Sequence, residues 1–412
     1  MTGWTGGQWS LVRAAFGAYL VIHFLALAPW AAELFSREGL LPDAALSPLA
    51  RAFPNVLAVW DAPWVATGLV LLAAALAVPL ALGWRDRWAA VGLWYVAACL
   101  FGRNPLIANP SLPFVGWMLL AHACLPGAPY GSLDARGRVD PGGGWAMPSA
   151  LQRAAWIVMA VGYSYGGYTK LVSPSWADGT ALRRVLENPL ARATPLRDAL
   201  LALPQPALAL ATWGALALEL LFAPLALARP LRPWLWAALL AMHLGLLALI
   251  DFADLSLGMV MLHLFTFDPA WVRAKAPGGT ERVFYDGTCG LCHRAVRAVL
   301  AEDRAGGAFR FAPLGGEAFR AAVPEALRPG LPDSVVVVRA DGAVLERWAA
   351  VLHVLARLGG IWRVVGVAGW LVPRALGNRL YDAVARARFR LFARPAEACP
   401  VLPADLRARF DP

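Results

Sequence analysis

The sequence predicts a polytopic α-helical membrane domain of about eight helices, followed by a smaller α/β domain. Three observations predict it. Of 412 residues, 59% are hydrophobic and only 16% charged, with a mean hydropathy of +0.54, whereas an ordinary soluble domain is about half apolar and about a quarter charged. Apolar runs of membrane-crossing length recur through the N-terminal two thirds of the chain. At 275–280, KAPGGT, composition breaks: beyond it charge density rises and apolar runs shrink to strand length. The expected division is therefore a transmembrane domain over 1–274, a linker over 275–280 and a soluble domain over 281–412.

Crossing a bilayer takes about 17 to 25 apolar residues. Runs at 14–34, 64–83, 151–171 and 207–228 meet that length, and 234–250 just does. Shorter runs at 88–101, 112–125 and 255–267 are expected to tilt, re-enter or lie shielded by neighbours. The first run contains Ala26 and Ala28 in an A-x-A arrangement, as a signal peptide does, yet the runs that follow favour a retained helix. Eight passes place Arg85, Arg87, Arg136, Arg138, Arg229, Arg232, Arg273 and Lys275 on the side shared by both termini, which the positive-inside rule makes cytoplasmic. Arg37, Arg51, Arg103 and the stretch 170–197 oppose it, so the asymmetry is modest. The location expected is a bacterial inner membrane with the soluble domain in the cytoplasm. Although the net charge is +10, no basic stripe with interleaved aromatics accompanies it, so nucleic acid is not an expected partner.

The soluble domain reads as a strand at 282–285, a helix from 289 to 301, a strand at 308–311 and a helix at 317–322. A β-branched run at 334–339, an Asp341-Gly342 turn into 343–345, and helices through Leu358 and Phe392 follow. Cys289 and Cys292 stand C-x-x-C at the start of the first of these helices, which makes this a thioredoxin-like order. At a helix start, free backbone N–H groups and the helix dipole stabilise a thiolate. Cys289 is therefore the candidate nucleophile, and Cys292, one turn on, the sulfur that resolves a mixed disulfide. Asp286, three residues before Cys289, reads as a partly buried proton acceptor or as a turn residue with Gly287.

Other chemistries use the same letters. CGLCH also fits the c-type haem attachment signal, but a strand precedes it and no distal ligand is evident. Structural zinc needs a second ligand pair, for which only Cys399 and a scattered His353 are available. No cofactor and no metal is expected. His293 reads as a helix-surface residue, and Cys99 and Cys124 as packing residues.

The stretch 284–292, FYDGTCGLC, resembles the Y-D-G-x-C-x-x-C signature of the DCC thiol-disulfide oxidoreductase family. The similarity continues through DSVVVVRADG at 333–342, LYDAVARARFRLF at 380–392 and Cys399-Pro400. This resemblance implies a thioredoxin-like fold and disulfide exchange by Cys289 and Cys292 with Asp286 beside them. In the transmembrane domain, RAAFGAYLVIHFL, the RNP at 103–105, YGGYTKLVSPSWADGTAL at 165–182 and MHLGLLALIDF at 242–252 resemble the HTTM domain, a module shared with vitamin K-dependent γ-carboxylase. By that resemblance Lys170 matches the carboxylase's base. The chain itself singles out the same residue: only Lys170 and Lys275 among 37 basic residues are lysine, and an amine can lose a proton where a guanidinium cannot. The alternative is a lysine snorkelling at a helix end.

His23, His122, His243 and His263 fall in the apolar region with no two at ligand spacing on one helix, which favours hydrogen-bonded packing roles. The 19 tryptophans read mainly as interfacial belts. Arg386, Arg388, Arg390 and Arg394, interleaved with Phe389, Leu391 and Phe392, read as a segment that docks on anionic lipid or as an amphipathic helix packed on its own domain. Three functions follow as expectations. The first is a membrane-anchored thiol-disulfide oxidoreductase acting on an unidentified thiol or disulfide partner. The second is membrane-domain chemistry on a quinone-like lipid or a peptide with Lys170 as base, and the third a membrane scaffold with a redox-sensing tail.

Overall fold

The computed structural model describes residues 3–49, 52–274, 279–331, 334–392 and 402–411. Arg51, Lys275, Asp333, Arg394, Cys399 and Pro400 lie outside these, as do the side chains of Phe389 and Leu391. Packing divides the chain into two units. One comprises Val12–Gly127 and Pro148–Phe267; the other comprises Met1–Leu11, Ala128–Met147 and Asp268–Pro412. The tail thus shares its unit with two earlier pieces of chain.

The first unit is helical. Helices α1 (Gly6–Leu27), α2 (Pro63–Leu82), α3 (Asp86–Arg103), α4 (Leu112–Ala123), α5 (Ser149–Lys170), α6 (Gln205–Leu220), α7 (Arg232–Leu249) and α8 (Ala253–Thr266) carry most of its residues, with short helical turns between them. A proline opens α2, where its missing N–H costs nothing, and Gly83 ends it at φ 68, a left-handed cap that glycine adopts without strain. Among the described residues three stretches are long and apolar enough to cross a bilayer: Gly6–Phe35, Pro63–Leu82 and Arg229–Leu249. The pair Pro195–Leu201 and Gln205–Leu220, bent by 107°, makes a fourth if it is one span. The sequence runs outnumber these for physical reasons. Helices of 12 and 14 residues, α4 and α8, reach only about 18 and 21 Å at 1.5 Å per residue, short of a hydrocarbon core about 30 Å thick. Helix α5 has the length but carries Gln152, Arg153, Ser164 and Lys170. Exposed Ile22, Leu25, Leu71, Leu72 and Val78, and exposed Trp64, Trp84, Trp88 and Trp234 at helix ends, fit a membrane protein, in which apolar side chains face lipid and tryptophans sit at the interface.

Several of its buried polar side chains pair with one another. Arg13 and His122 both reach Asp86, at 3.5 and 3.3 Å. His23 meets Asp254 at 2.6 Å, and His263 Nδ1 donates to Met259 O at 2.8 Å. Cys99 is buried, whereas Cys124 is exposed just past the end of α4, so only the first is a packing residue. Among the described residues no group of three or more His, Cys, Asp or Glu side chains converges as a metal site.

The second unit is built on a four-stranded mixed sheet of order β2-β1-β3-β4. Strand β1 (Glu281–Tyr285) leads through α9 (Gly290–Glu302) to β2 (Phe309–Pro313), its parallel neighbour, with Val283 opposite Phe311. Helix α10 (Glu317–Ala322) precedes β3 (Val336–Val338), antiparallel to β1, and β4 (Val344–Glu346), antiparallel to β3. Helices α11 (Arg347–Leu358), α12 (Gly360–Gly369) and α13 (Arg374–Leu391) complete it. Alternation along β1 sends Val283 and Tyr285 into one core with Val296, Leu300, Phe309 and Phe311, and Phe284 into a second with Ala312, Phe319 and Val336, as a period of two requires. The chain end closes the β2 edge: Phe311 N donates to Arg409 O, and Asp411 N to Phe311 O. An edge so covered offers no template to another chain.

Candidate active site

The site sits where β1 gives way to α9. Asp286 folds the connection: its Oδ1 accepts from Thr288 N at 2.8 Å and Thr288 Oγ1 at 2.7 Å, an Asx turn that brings the chain round to the helix. Cys289 then takes the N-cap position of α9 with φ −103 and ψ 116. Its Sγ accepts from Cys292 N at 3.4 Å, so sulfur occupies the place where an N-cap oxygen ordinarily satisfies a free helix N–H. A thiolate there gains from that N–H and from the helix dipole.

Burial distinguishes this dithiol from an open one. Cys289 is 0% exposed and Cys292 7%, although a nucleophile at a helix start is expected to be accessible. Both belong to the first core cluster, which also contains Leu402 from the C-terminal segment. Burial, and then the hydrogen bond and charge of Cys289, push the Cys292 thiol up to about 12; the Arg388 guanidinium opposes them. Cys292 is thus held protonated behind Cys289.

Asp286 is only partly exposed. Its Oδ2 accepts from Arg388 Nη2 at 3.3 Å, and the Arg388 side chain is 5% exposed. Both carboxylate oxygens therefore have a structural partner, and the turn and ion-pair functions are what the geometry displays. Arg388, on α13, is the residue that reading the C-x-x-C motif misses, because it lies 102 positions from Asp286. Its signal in the chain is its place within the LYDAVARARFRLF stretch, where helical spacing sets it on the face opposite Arg386 and Arg390. His293 is likewise corrected: it is 8% exposed and its Nε2 donates to Gly287 O at 2.9 Å, so it braces the turn and is not a surface residue. A haem-attachment reading needs that nitrogen on iron and both sulfurs open, and the arrangement provides neither. His353 is engaged by Glu281 at 2.6 Å, which removes the scattered ligand a zinc reading invoked. An apolar cavity of about 210 Å³ adjoins the dithiol, lined by Tyr285, Cys292, Val296, Phe311, Val354 and Trp362 among others.

Lys170 lies in the other unit, at the end of α5. Its Nζ pairs with the buried carboxylate of Glu219 on α6 and stands 4.9 Å from the centre of the Trp176 ring. In the same unit Tyr163 bonds His243 at 2.8 Å, and His243 and His263 have ring centres 5.8 Å apart. The fold thus joins two histidines that the chain separates.

A mixed-sheet domain whose first helix is capped by one cysteine of a C-x-x-C pair is the class that fold and site define. Comparison with known proteins agrees. Residues 283–394 match the DCC1-like thiol-disulfide oxidoreductase family. Over 134 residues the chain is 29% identical to the uncharacterised protein YuxK of Bacillus subtilis (strain 168), a match covering 32% of this chain and 93% of that protein. No solved structure matches. The family match begins at Val283 and does not extend to the helical unit.

Proposed function

We propose that the chain is a membrane-anchored thiol-disulfide oxidoreductase that works through Cys289 and Cys292 on a thioredoxin-like domain. The observation that carries the reading is Cys289 Sγ at the N-cap of α9, on the Cys292 N–H, with the Cys292 thiol kept protonated behind it. The parallel β1–β2 pair followed by antiparallel β3 and β4 supports the fold assignment. In the reducing direction the Cys289 thiolate attacks one sulfur of a partner disulfide, forming a mixed disulfide and expelling the other partner sulfur as a thiolate. Cys292 then gives up its proton and attacks Cys289 Sγ. The protein disulfide forms, the second partner thiol leaves, and two electrons have passed to the partner. Because both thiols are buried, a partner reaches Cys289 only after the side chains packed over it move. The helical unit serves as the membrane anchor, with the soluble domain on the cytoplasmic side.

The test is trapping. Full-length protein with Cys289→Ser should lose disulfide reductase activity, and Cys292→Ser should accumulate a mixed disulfide with partner or with a model disulfide, seen as a mass adduct on Cys289. Activity surviving Cys289→Ser sinks the mechanism. A titratable dithiol without turnover would favour the redox-sensing scaffold.

A further inference from the structure

We propose that a cavity in the helical unit, lined by α1, α8 and the loop before α4, binds an apolar molecule through a hydroxyl group. The cavity holds about 310 Å³, and its wall is apolar except at Tyr19, His23, Asn109 and Asp254. All four belong to the helical unit. An apolar pocket on which a few polar side chains converge is the form that a small-molecule site usually takes. Ile22 and Phe252 line the cavity and are also exposed, so its rim is apolar and the ligand is one that partitions into lipid. A second apolar cavity, of about 490 Å³, shares His23, Phe101 and Leu112, which leaves room for a long apolar body.

Hydrogen bonds among the four polar side chains decide what is left for a ligand. Asn109 Oδ1 accepts from Ser111 N at 2.8 Å and from Ser111 Oγ at 2.6 Å, which turns its amide nitrogen to donate to Asp254 Oδ2. Tyr19 Oη donates to Asp254 Oδ1 at 3.0 Å, and His23 Nδ1 meets the same oxygen at 2.6 Å. An ionised carboxylate only accepts, so the ring proton lies on Nδ1 and the neutral ring keeps its lone pair on Nε2. The His23 side chain is 7% exposed, and among the described residues its Nε2 has no hydrogen-bond partner. Phe24 and Phe101 hold the ring, at centre distances of 4.8 and 6.0 Å. Asp254 is the more open of the two, at 28%, and has accepted three of the roughly four bonds that a carboxylate can take. Both unspent groups are acceptors, so the ligand has to bring a donor. A hydroxyl brings one and can in return accept from the second N–H of the Asn109 amide, which an ammonium cannot do. The hydroxyl meets Asp254 first, and His23 feels the contact through the shared carboxylate.

The experiment uses purified full-length protein in detergent with its six histidines labelled with nitrogen-15, observed by NMR at pH 8. His23→Gln removes one signal and so assigns it. The probes are 1-octanol and its isomer 1-methoxyheptane, equal in size but without a donor, together with glycerol, which has hydroxyls and no apolar body. The free protein should show His23 with its proton on Nδ1. Octanol should shift the His23 signals with a saturating dose dependence, the ether should bind about tenfold more weakly for want of one hydrogen bond, and glycerol should leave the spectrum unchanged. Ala26 lines the cavity and is exposed, so Ala26→Phe should fill the mouth and abolish the octanol shift while leaving the free spectrum and disulfide exchange at Cys289 as in wild type. An ether that binds as tightly as octanol, glycerol that acts as strongly, an octanol shift that survives Ala26→Phe, or a free His23 with its proton on Nε2 overturns the proposal. If neither variant folds, wild type decides alone: the absence of any histidine signal that follows octanol more tightly than the ether overturns it equally.

Discussion

The deep placement of Cys292 makes a quantitative prediction about its reactivity. Its thiol is pushed up from 9.0 to about 12, with burial the largest cause. At a pH well below both values, the thiolate fraction falls tenfold for every step of one in pKa, so this thiol should carry about a thousandfold less thiolate than an ordinary cysteine. Cys289→Ser isolates this sulfur. It also removes the hydrogen bond and charge of the neighbouring thiol, the second and third causes, but leaves the burial, the largest one, so the suppression should persist in part. The assay is iodoacetamide labelling of the Cys289→Ser protein in detergent from pH 7 to 11, with Cys292 quantified by mass spectrometry. A merely hidden thiol reacts slowly but levels off near pH 9, whereas one with a raised pKa gains about tenfold per pH step of one across the whole range. A plateau at or below pH 9 would refute the reasoning, however slow the labelling.

Three further outcomes follow from buried charges. Arg388→Gln should destabilise the tail's unit by about 3 kcal/mol because it strips a buried partner from Asp286, and a double-mutant cycle with Asp286→Asn should return about 1 to 3 kcal/mol of coupling in urea unfolding; additive losses would contradict the pair. Glu302 accepts from Thr5 Oγ1, Gly7 N and Trp362 Nε1, so Glu302→Ala should cost about 2 to 4 kcal/mol. Burial raises its carboxyl above 4.5, so Glu302's contribution is fully present below about pH 4.5 and shrinks as pH rises through the raised value; a wild-type advantage that grows with pH would reverse the sign. Lys170→Ala leaves the Glu219 carboxylate buried without its amine and should lower the thermal midpoint by the equivalent of about 3 to 5 kcal/mol, while Lys170→Arg should restore most of it. If the amine also does chemistry, turnover stays lost in the arginine variant, and full activity there assigns Lys170 to the structural pair alone.

How much of this was legible in the chain depends on the range of the interaction. The strand before the motif, the C-x-x-C helix start and the turn at Asp286 are local, and alternation and spacing announce them. The burial of Cys289 is not local, since Leu402 packs in its cluster from more than a hundred positions away. Glu302 likewise reads as an ordinary charged residue at a helix end. It is buried because Thr5 and Gly7, almost 300 positions earlier, bring a hydroxyl and an N–H to it. No periodicity in either segment encodes that meeting.

The basic helix is different, because its answer was present in the spacing. Positions two apart on an α-helix are rotated by about 200°, so Arg386 and Arg390 share one face and Arg388 takes the opposite one. The structure follows that rule: Arg386 and Arg390 are exposed, while Arg388 is buried on Asp286. A segment that docks on anionic lipid gains about 1 kcal/mol for each cation near the surface. Counting all four arginines of the stretch therefore overstates its affinity. The two that are both described and exposed supply about 2 kcal/mol, roughly thirtyfold in binding, while Arg388 is committed to the dithiol turn. Charge reversal at Arg386 and Arg390 should consequently leave Cys289 chemistry unchanged and abolish any lipid attraction this face provides, whereas reversal at Arg388 should disturb the turn at any lipid composition.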